Sequence, residues 1–169
     1  MYRLIGALLV LGAMGWMGWS EGAALRKRTA FLRELVGALE RMERELTFRL
    51  TPLPELFSRL ARQTSPPLAA FFAACARHAR SSETVFGRAW QEEVQSLSSW
   101  LGREALESLS RLGQSLGRCD AEGEGRLLRA AATELREQLA RAETESRRLG
   151  RLYQTLGLTG GVFLILVLI

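Results

Sequence analysis

The segment LYQTLGLTGGVFLILVLI, Leu152 to Ile169, carries no charged side chain, and from Val162 onward every residue is apolar. At about 1.5 Å rise per residue a helix over this run is roughly 27 Å long, close to the roughly 30 Å hydrocarbon thickness of a bilayer. It reads as a membrane-spanning helix, and the sequence ends inside it, so no polar segment follows to draw it back into water. A matching segment stands at the other end, where Leu4 to Trp19 is uncharged and rich in Leu, Gly and Met. Every charged residue except Arg3 then lies between two expected anchors. The expected organisation is a first transmembrane helix at 1–21, a cytoplasmic helical domain at 22–151 and a second transmembrane helix at 152–169.

Met-Tyr-Arg ahead of an apolar run also fits a signal peptide. The residues that follow, Trp16-Met17-Gly18-Trp19-Ser20-Glu21, lack a small-x-small cleavage pattern, which favours a retained anchor. Arg26, Lys27 and Arg28 flank the first run and Arg147, Arg148 and Arg151 the second, against Arg3 alone on the far side. Basic residues concentrate on the cytoplasmic side of spans, so the middle is expected in the cytoplasm and both ends across the membrane. Trp16, Trp19 and Tyr153 then fall at the cytoplasmic interface and Tyr2 at the opposite one. Gly12, Gly15 and Gly18 recur every three residues, and Gly157, Gly160 and Gly161 answer them, giving small faces for close helix packing. Glycine is common in membrane helices, so the spacing is equally read as composition.

The chain has 23 basic residues against 18 acidic ones, a net charge of +5, and Lys27 is its sole lysine. Arginines alternate with glutamates along helical patterns. This reads as solvated helix faces laced with ion pairs, and without a basic stripe interleaved with aromatics it argues against nucleic-acid binding.

Between the anchors the periodicity is helical throughout. Leu32, Leu35, Leu39, Met42 and Leu46 step by three and four along a first helix from about 23 to 50. Thr51 before Pro52-Leu53-Pro54 reads as the cap of a second helix, with prolines confined to the first turn. Ser65 before Pro66-Pro67 repeats the device for a third, which carries Phe71, Phe72 and Cys75. Ser82-Glu83 starts a fourth with Val85, Phe86, Ala89, Trp90, Val94 and Leu97. A fifth runs from about Gly102 to Leu116 with Leu106, Leu109, Leu112 and Leu116 inward, and Gly117 ends it. Asp120 caps the sixth, which carries Leu128, Ala131, Leu135, Ala142 and Leu149. No stretch alternates with period two, so the fold class is all-α, an antiparallel six-helix bundle.

Chemistry is sparse. There is no phosphate-binding Gly-x-x-x-x-Gly-Lys-Ser/Thr loop, so the chain is not expected to hydrolyse ATP. Cys75 and His78 can share a helix face and, with Cys119, could supply three metal ligands. A buried cysteine beside a half-exposed histidine is the stronger reading, and no metal or cofactor is assigned. Neither cysteine has a His and Asp signature around it, and the cytoplasmic placement leaves both free to remain unpaired. Pairs such as Glu92-Glu93 read as solvated charge. An enzyme is the least favoured class.

Several motifs resemble a known family over essentially the whole length. They are the glycine-rich first run, Leu32-Arg33-Glu34-Leu35, Glu43-Arg44-Glu45, Thr51-Pro52-Leu53, Ala89-Trp90, Leu112-Gly113-Gln114-Ser115-Leu116-Gly117-Arg118-Cys119-Asp120, and Tyr153-Gln154-Thr155-Leu156-Gly157. Together they resemble the stage III sporulation protein AB family of endospore-forming bacteria. Thr29-Ala30 and Cys119 depart from its pattern, which has an Arg-Pro-type pair and a serine there. The resemblance implies a fold like the cytoplasmic F domain of type II secretion platform proteins. It also implies a place in the mother cell–forespore channel, in the mother-cell membrane around the forespore, beside a separate ATPase, stage III sporulation protein AA. The other reading is a generic membrane-anchored scaffold or signalling bundle with no motor partner. If the first and sixth helices run antiparallel from the membrane, the turns at Thr51-Leu53 and Gln114-Arg118-Asp120 share the far end of the bundle. Thr51, Leu53, Gln114, Arg118 and Asp120 are then candidate docking residues for the ATPase, although capping alone accounts for Thr51 and Asp120.

Overall fold

A computed structural model of the chain describes residues 2–80 and 83–168, with side chains over 25–80 and 86–145. Among the described residues every regular element is helical. These are α1 (Tyr2–Arg49), α2 (Leu53–Gln63), α3 (Pro66–His78), α4 (Glu83–Ser96), a 3₁₀ turn (Leu97–Ser99), α5 (Arg103–Ser115) and α6 (Ala121–Leu168). The sequence predicts that the sixth helix runs on toward the final apolar segment, and the backbone continues each end segment and its neighbour as one helix of 48 residues. The reason is the absence of any proline between Tyr2 and Arg49 or after Ala121, so nothing interrupts the hydrogen-bond ladder.

The chain divides into two compact units, one formed by residues 1–29 with 140–169 and the other by residues 30–139. Among the described residues no helix is long and apolar enough to cross a membrane. The side chains of both apolar end runs fall outside the described set. So do the packing expected of Gly12, Gly15, Gly18, Gly157, Gly160 and Gly161, the interfacial aromatics, Leu149, and the start of α4 at Ser82.

In the 30–139 unit, all six helices contribute to one apolar core. On α1 the five seam residues Leu32, Leu35, Leu39, Met42 and Leu46 are buried, as their spacing predicts. Phe31, Val36 and Ala38 are buried beside them, so the apolar face is wider than the seam. A helix that meets several neighbours buries more than the stripe a single partner covers. On α6, Leu128, Ala131, Ala132, Leu135 and Leu139 face inward, while Ala142 is half exposed.

Ion pairs and a close approach fix how α1 and α6 lie. Arg136 pairs with Glu40, Arg129 with Glu43, and a Cβ on Gly125 would meet the Thr47 hydroxyl at 2.5 Å. Positions rise along one helix as they fall along the other, so the two run antiparallel. Further pairs tie other helices together: Arg111 on α5 to Glu134 on α6 at 2.6 Å, and Arg59 on α2 to Glu45 on α1 at 3.1 Å. The Glu and Arg pattern read as solvated helix faces therefore also contains the cross-links between helices. Exposed pairs of this kind contribute about 0–1 kcal/mol each, so they set register more than stability.

Between α4 and α5 the joint is tighter. The Trp90 indole N–H donates to the Leu109 carbonyl at 2.8 Å, and the Gln91 amide donates to Ser110 O at 2.9 Å. Trp90 also meets Phe71, Phe57 and Phe86 at centroid distances of 5.1, 6.1 and 5.8 Å. Its ring occupies the space over Gly113, where an added Cβ would come within 1.9 Å of the indole. Ala89-Trp90 and Leu112-Gly113 thus belong to one packing contact.

Candidate functional site

The turn after α1 is built differently from the sequence expectation. Leu50 follows the helix with φ +51°, the left-handed conformation that glycine usually supplies at such ends. A leucine held there costs of order 1 kcal/mol, and its side chain is 70 % exposed. Thr51 does not cap α2. Pro52 occupies the N-cap position without a side-chain cap bond, and the Thr51 hydroxyl instead donates to Glu45 Oε2 at 3.2 Å. The same correction applies to Ser65, which sits at the N-cap of α3 but sends its hydroxyl and its backbone N–H to the Glu34 carboxylate on α1. In both cases a carboxylate on α1 accepts the hydroxyl's hydrogen bond, and the prolines in the first turn remove N–H groups that a cap would otherwise serve.

Asp120 behaves as the sequence predicts. Its Oδ1 accepts the Gly123 N–H at 2.9 Å, one turn into α6. Gly117, with φ +87°, ends α5 and lets the chain reverse, a conformation costly for any residue with a Cβ. Its N–H donates to Glu124 Oε1 at 2.8 Å, so a carboxylate from α6 closes the loop from inside. Glu124 is only 6 % exposed, and burial, followed by the nearby Asp120 charge, pushes its carboxyl above the usual range against the Gly117 hydrogen bond.

Because Thr47 meets Gly125, the turn after Arg49 and the turn before Ala121 lie at the same end of the α1–α6 pair. Gln114 is exposed in the last turn of α5, and Arg118 and Asp120 are exposed on the second turn. Thr51 is half buried, and Leu53 packs against the core, which accounts for it by packing alone. Cys119 is exposed beside them, while Cys75 is buried in α3 and His78 half exposed. Among the described residues no three His, Cys, Asp or Glu side chains converge on one point.

The feature not foreseen from the sequence lies on α1 just before its turn. An open cleft of about 490 Å³ between α1 and α2 is lined by Arg41, Arg44, Glu45, Phe48, Arg49 and Arg59 with apolar flooring from α2. Phe48 is 79 % exposed, and with Leu50 it is a large apolar side chain facing water. One signal was available. After Leu32, Leu35, Leu39, Met42 and Leu46 the next inward positions are 49 and 50, so Phe48 breaks the seam's register.

Comparison with known proteins places this fold. Residues 3–169 match the family model described as stage III sporulation protein AB. A solved structure of a stage III sporulation protein AB is similar at 26 % sequence identity and a TM-score of 0.61, over 72 % of this chain and 97 % of that one. No curated protein matches the chain. With a family match that runs from the first apolar segment through the last, the chain belongs to the stage III sporulation protein AB family.

Proposed function

We propose that the protein is a membrane platform subunit of a transenvelope, secretion-like channel assembled during endospore formation, coupling a separate cytoplasmic ATPase to that assembly. The observation that carries this reading is the extent of the family match, which takes in both apolar ends and the helical middle together. In this reading the middle is an antiparallel six-helix, F-domain-like bundle held between two transmembrane helices, cytoplasmic in the mother cell. The glycines of the two spans pack them against each other or against other channel components. No catalytic residue, metal or cofactor is assigned, and no nucleic acid partner. The motor, a stage III sporulation protein AA-like ATPase, docks at the end of the α1–α6 pair that carries Thr51 and Asp120.

Arginine-rich flanks on the inner side of both apolar runs support the topology, and a reporter at either terminus should lie outside the cytoplasm while one near position 81 lies inside. The functional test is purification of the tagged full-length chain from sporulating cells in mild detergent. Co-elution of the ATPase, with its hydrolysis rate altered by the platform, is the expected result. An ATPase that neither co-elutes nor responds would leave a motor-free scaffold as the better account.

A further inference from the structure

We propose that the cleft between α1 and α2 is a docking groove for an acidic amphipathic helix carried by a protein partner. Its chemistry is unbalanced. Four guanidinium groups, those of Arg41, Arg44, Arg49 and Arg59, line it against one carboxylate, Glu45. Glu45 is already shared between Arg49 at 3.5 Å, Arg59 at 3.1 Å and the Thr51 hydroxyl at 3.2 Å. Arg59 also reaches Glu55 at 3.0 Å on the rim. Arg41 spends its Nε–H on the Gly37 backbone carbonyl at 3.1 Å and pairs with no acid among the described residues, and Arg44 is exposed.

The spacing selects the form of the occupant. Arg41, Arg44 and Phe48 stand at i, i+3 and i+7, so they form one stripe about 10 Å long on the outer face of α1. A helix laid along the groove would answer that stripe with carboxylates three or four residues apart around one apolar side chain. Phe48, exposed on that stripe and lining the cleft, supplies the apolar contact that bare charge attraction does not need. Arginine suits this role because its planar fork takes carboxylates in pairs. The inference rests on the platform reading only for which protein carries the helix.

The test uses the full-length chain in detergent and a synthetic Glu/Leu amphipathic helical peptide, with a Gln/Leu counterpart and a scrambled Glu/Leu peptide that has no apolar face. Fluorescence anisotropy should show the Glu/Leu helix binding at least about tenfold more tightly than either control. Phe48→Ser and Arg44→Glu should each weaken it by about tenfold without moving the melting temperature, since both side chains face water. Equal binding of the scrambled peptide, or unchanged binding by both variants, overturns the proposal. So does binding of phosphatidylglycerol vesicles, or self-association of the chain, that the same variants abolish, since the groove would then take lipid or a second copy. If the peptide binds as expected while the sporulation ATPase neither binds nor displaces it, the groove stands and the platform reading fails.

Discussion

Replacing Gly113 with alanine tests the joint between α4 and α5. The added Cβ would lie 1.9 Å from Trp90 Cδ1, 2.3 Å from Nε1 and 2.4 Å from Cγ, distances at which the ring must move. It has little room to do so: Trp90 is 1 % exposed and three phenylalanine rings stand around it. Forcing a methyl group into a packed core costs about 1–3 kcal/mol. Withdrawing the indole also breaks its bond to Leu109 O and strands a buried polar group, at about 1–3 kcal/mol. Alanine returns about 0.5–1 kcal/mol as the better helix former. The expected net loss is about 1–5.5 kcal/mol, measured by urea unfolding of the full-length chain in detergent, followed by far-UV circular dichroism. Trp90→Phe provides the control, because a smaller ring leaves space for the methyl group. Gly113→Ala in that background should cost at least about 1 kcal/mol less, a coupling expected of residues in contact. A loss below about 0.5 kcal/mol, or the same loss in both backgrounds, would refute the argument that the glycine is there for the ring.

Leu39, 1 % exposed on α1, should cost about 2–5 kcal/mol on replacement by alanine, and a change within about 0.5 kcal/mol would mean the seam is not core. Asp120→Ala should lose about 0.5–2 kcal/mol as a true cap. Thr51→Ala, which removes only a bond to an already shared carboxylate, should lose less than Asp120→Ala in the same melt, and the reverse order would reinstate Thr51 as the cap. Glu124 has a folded-state pKa raised above its ordinary value of 4.5, so its contribution to stability is full below that value and is lost as pH rises through the raised one. Glu124→Gln should therefore melt higher than the parent at pH 7, with the gain shrinking on acidification, and a pH-independent difference would contradict burial as the cause. Cys119 should react with a maleimide in the folded chain and Cys75 only after unfolding, because burial, helped by Glu93, pushes the Cys75 thiol up; mass spectrometry of the labelled peptides decides it.

The number of helical segments in the charged middle and most of their ends were legible because proline, glycine and the three-four spacing act locally. Gly117 and Asp120 do at the α5–α6 turn what their residue types announce. Thr51 and Ser65 do not, since carboxylates on α1 claim their hydroxyls, Glu45 from just before the turn and Glu34 from 31 residues away. Residue type states what a hydroxyl can do, while tertiary placement decides which acceptor it finds. The same applies to the arginines. Arg129 and Arg136 read as surface charge, yet their partners lie 86 and 96 residues away on α1. The cleft between α1 and α2 was illegible for a related reason. Phe48's break in register hinted that it faces outward, but the gathering of Arg59 from α2 beside Arg41 and Arg44 exists only once the helices pack.

The antiparallel pairing of α1 with α6 also sets a schedule. The leucines at 35, 39 and 46 leave the ribosome long before Leu128 and Leu135, which complete the core they share. A ribosome adds about 5–20 residues per second, so a separation of 86 to 96 residues is a wait of roughly 4–20 s. During that interval the middle helices can gather locally while the inner face of α1 stays partly uncovered. The nascent chain is then a client for chaperones, and a stop codon anywhere before α6 leaves a product with its stickiest surface open.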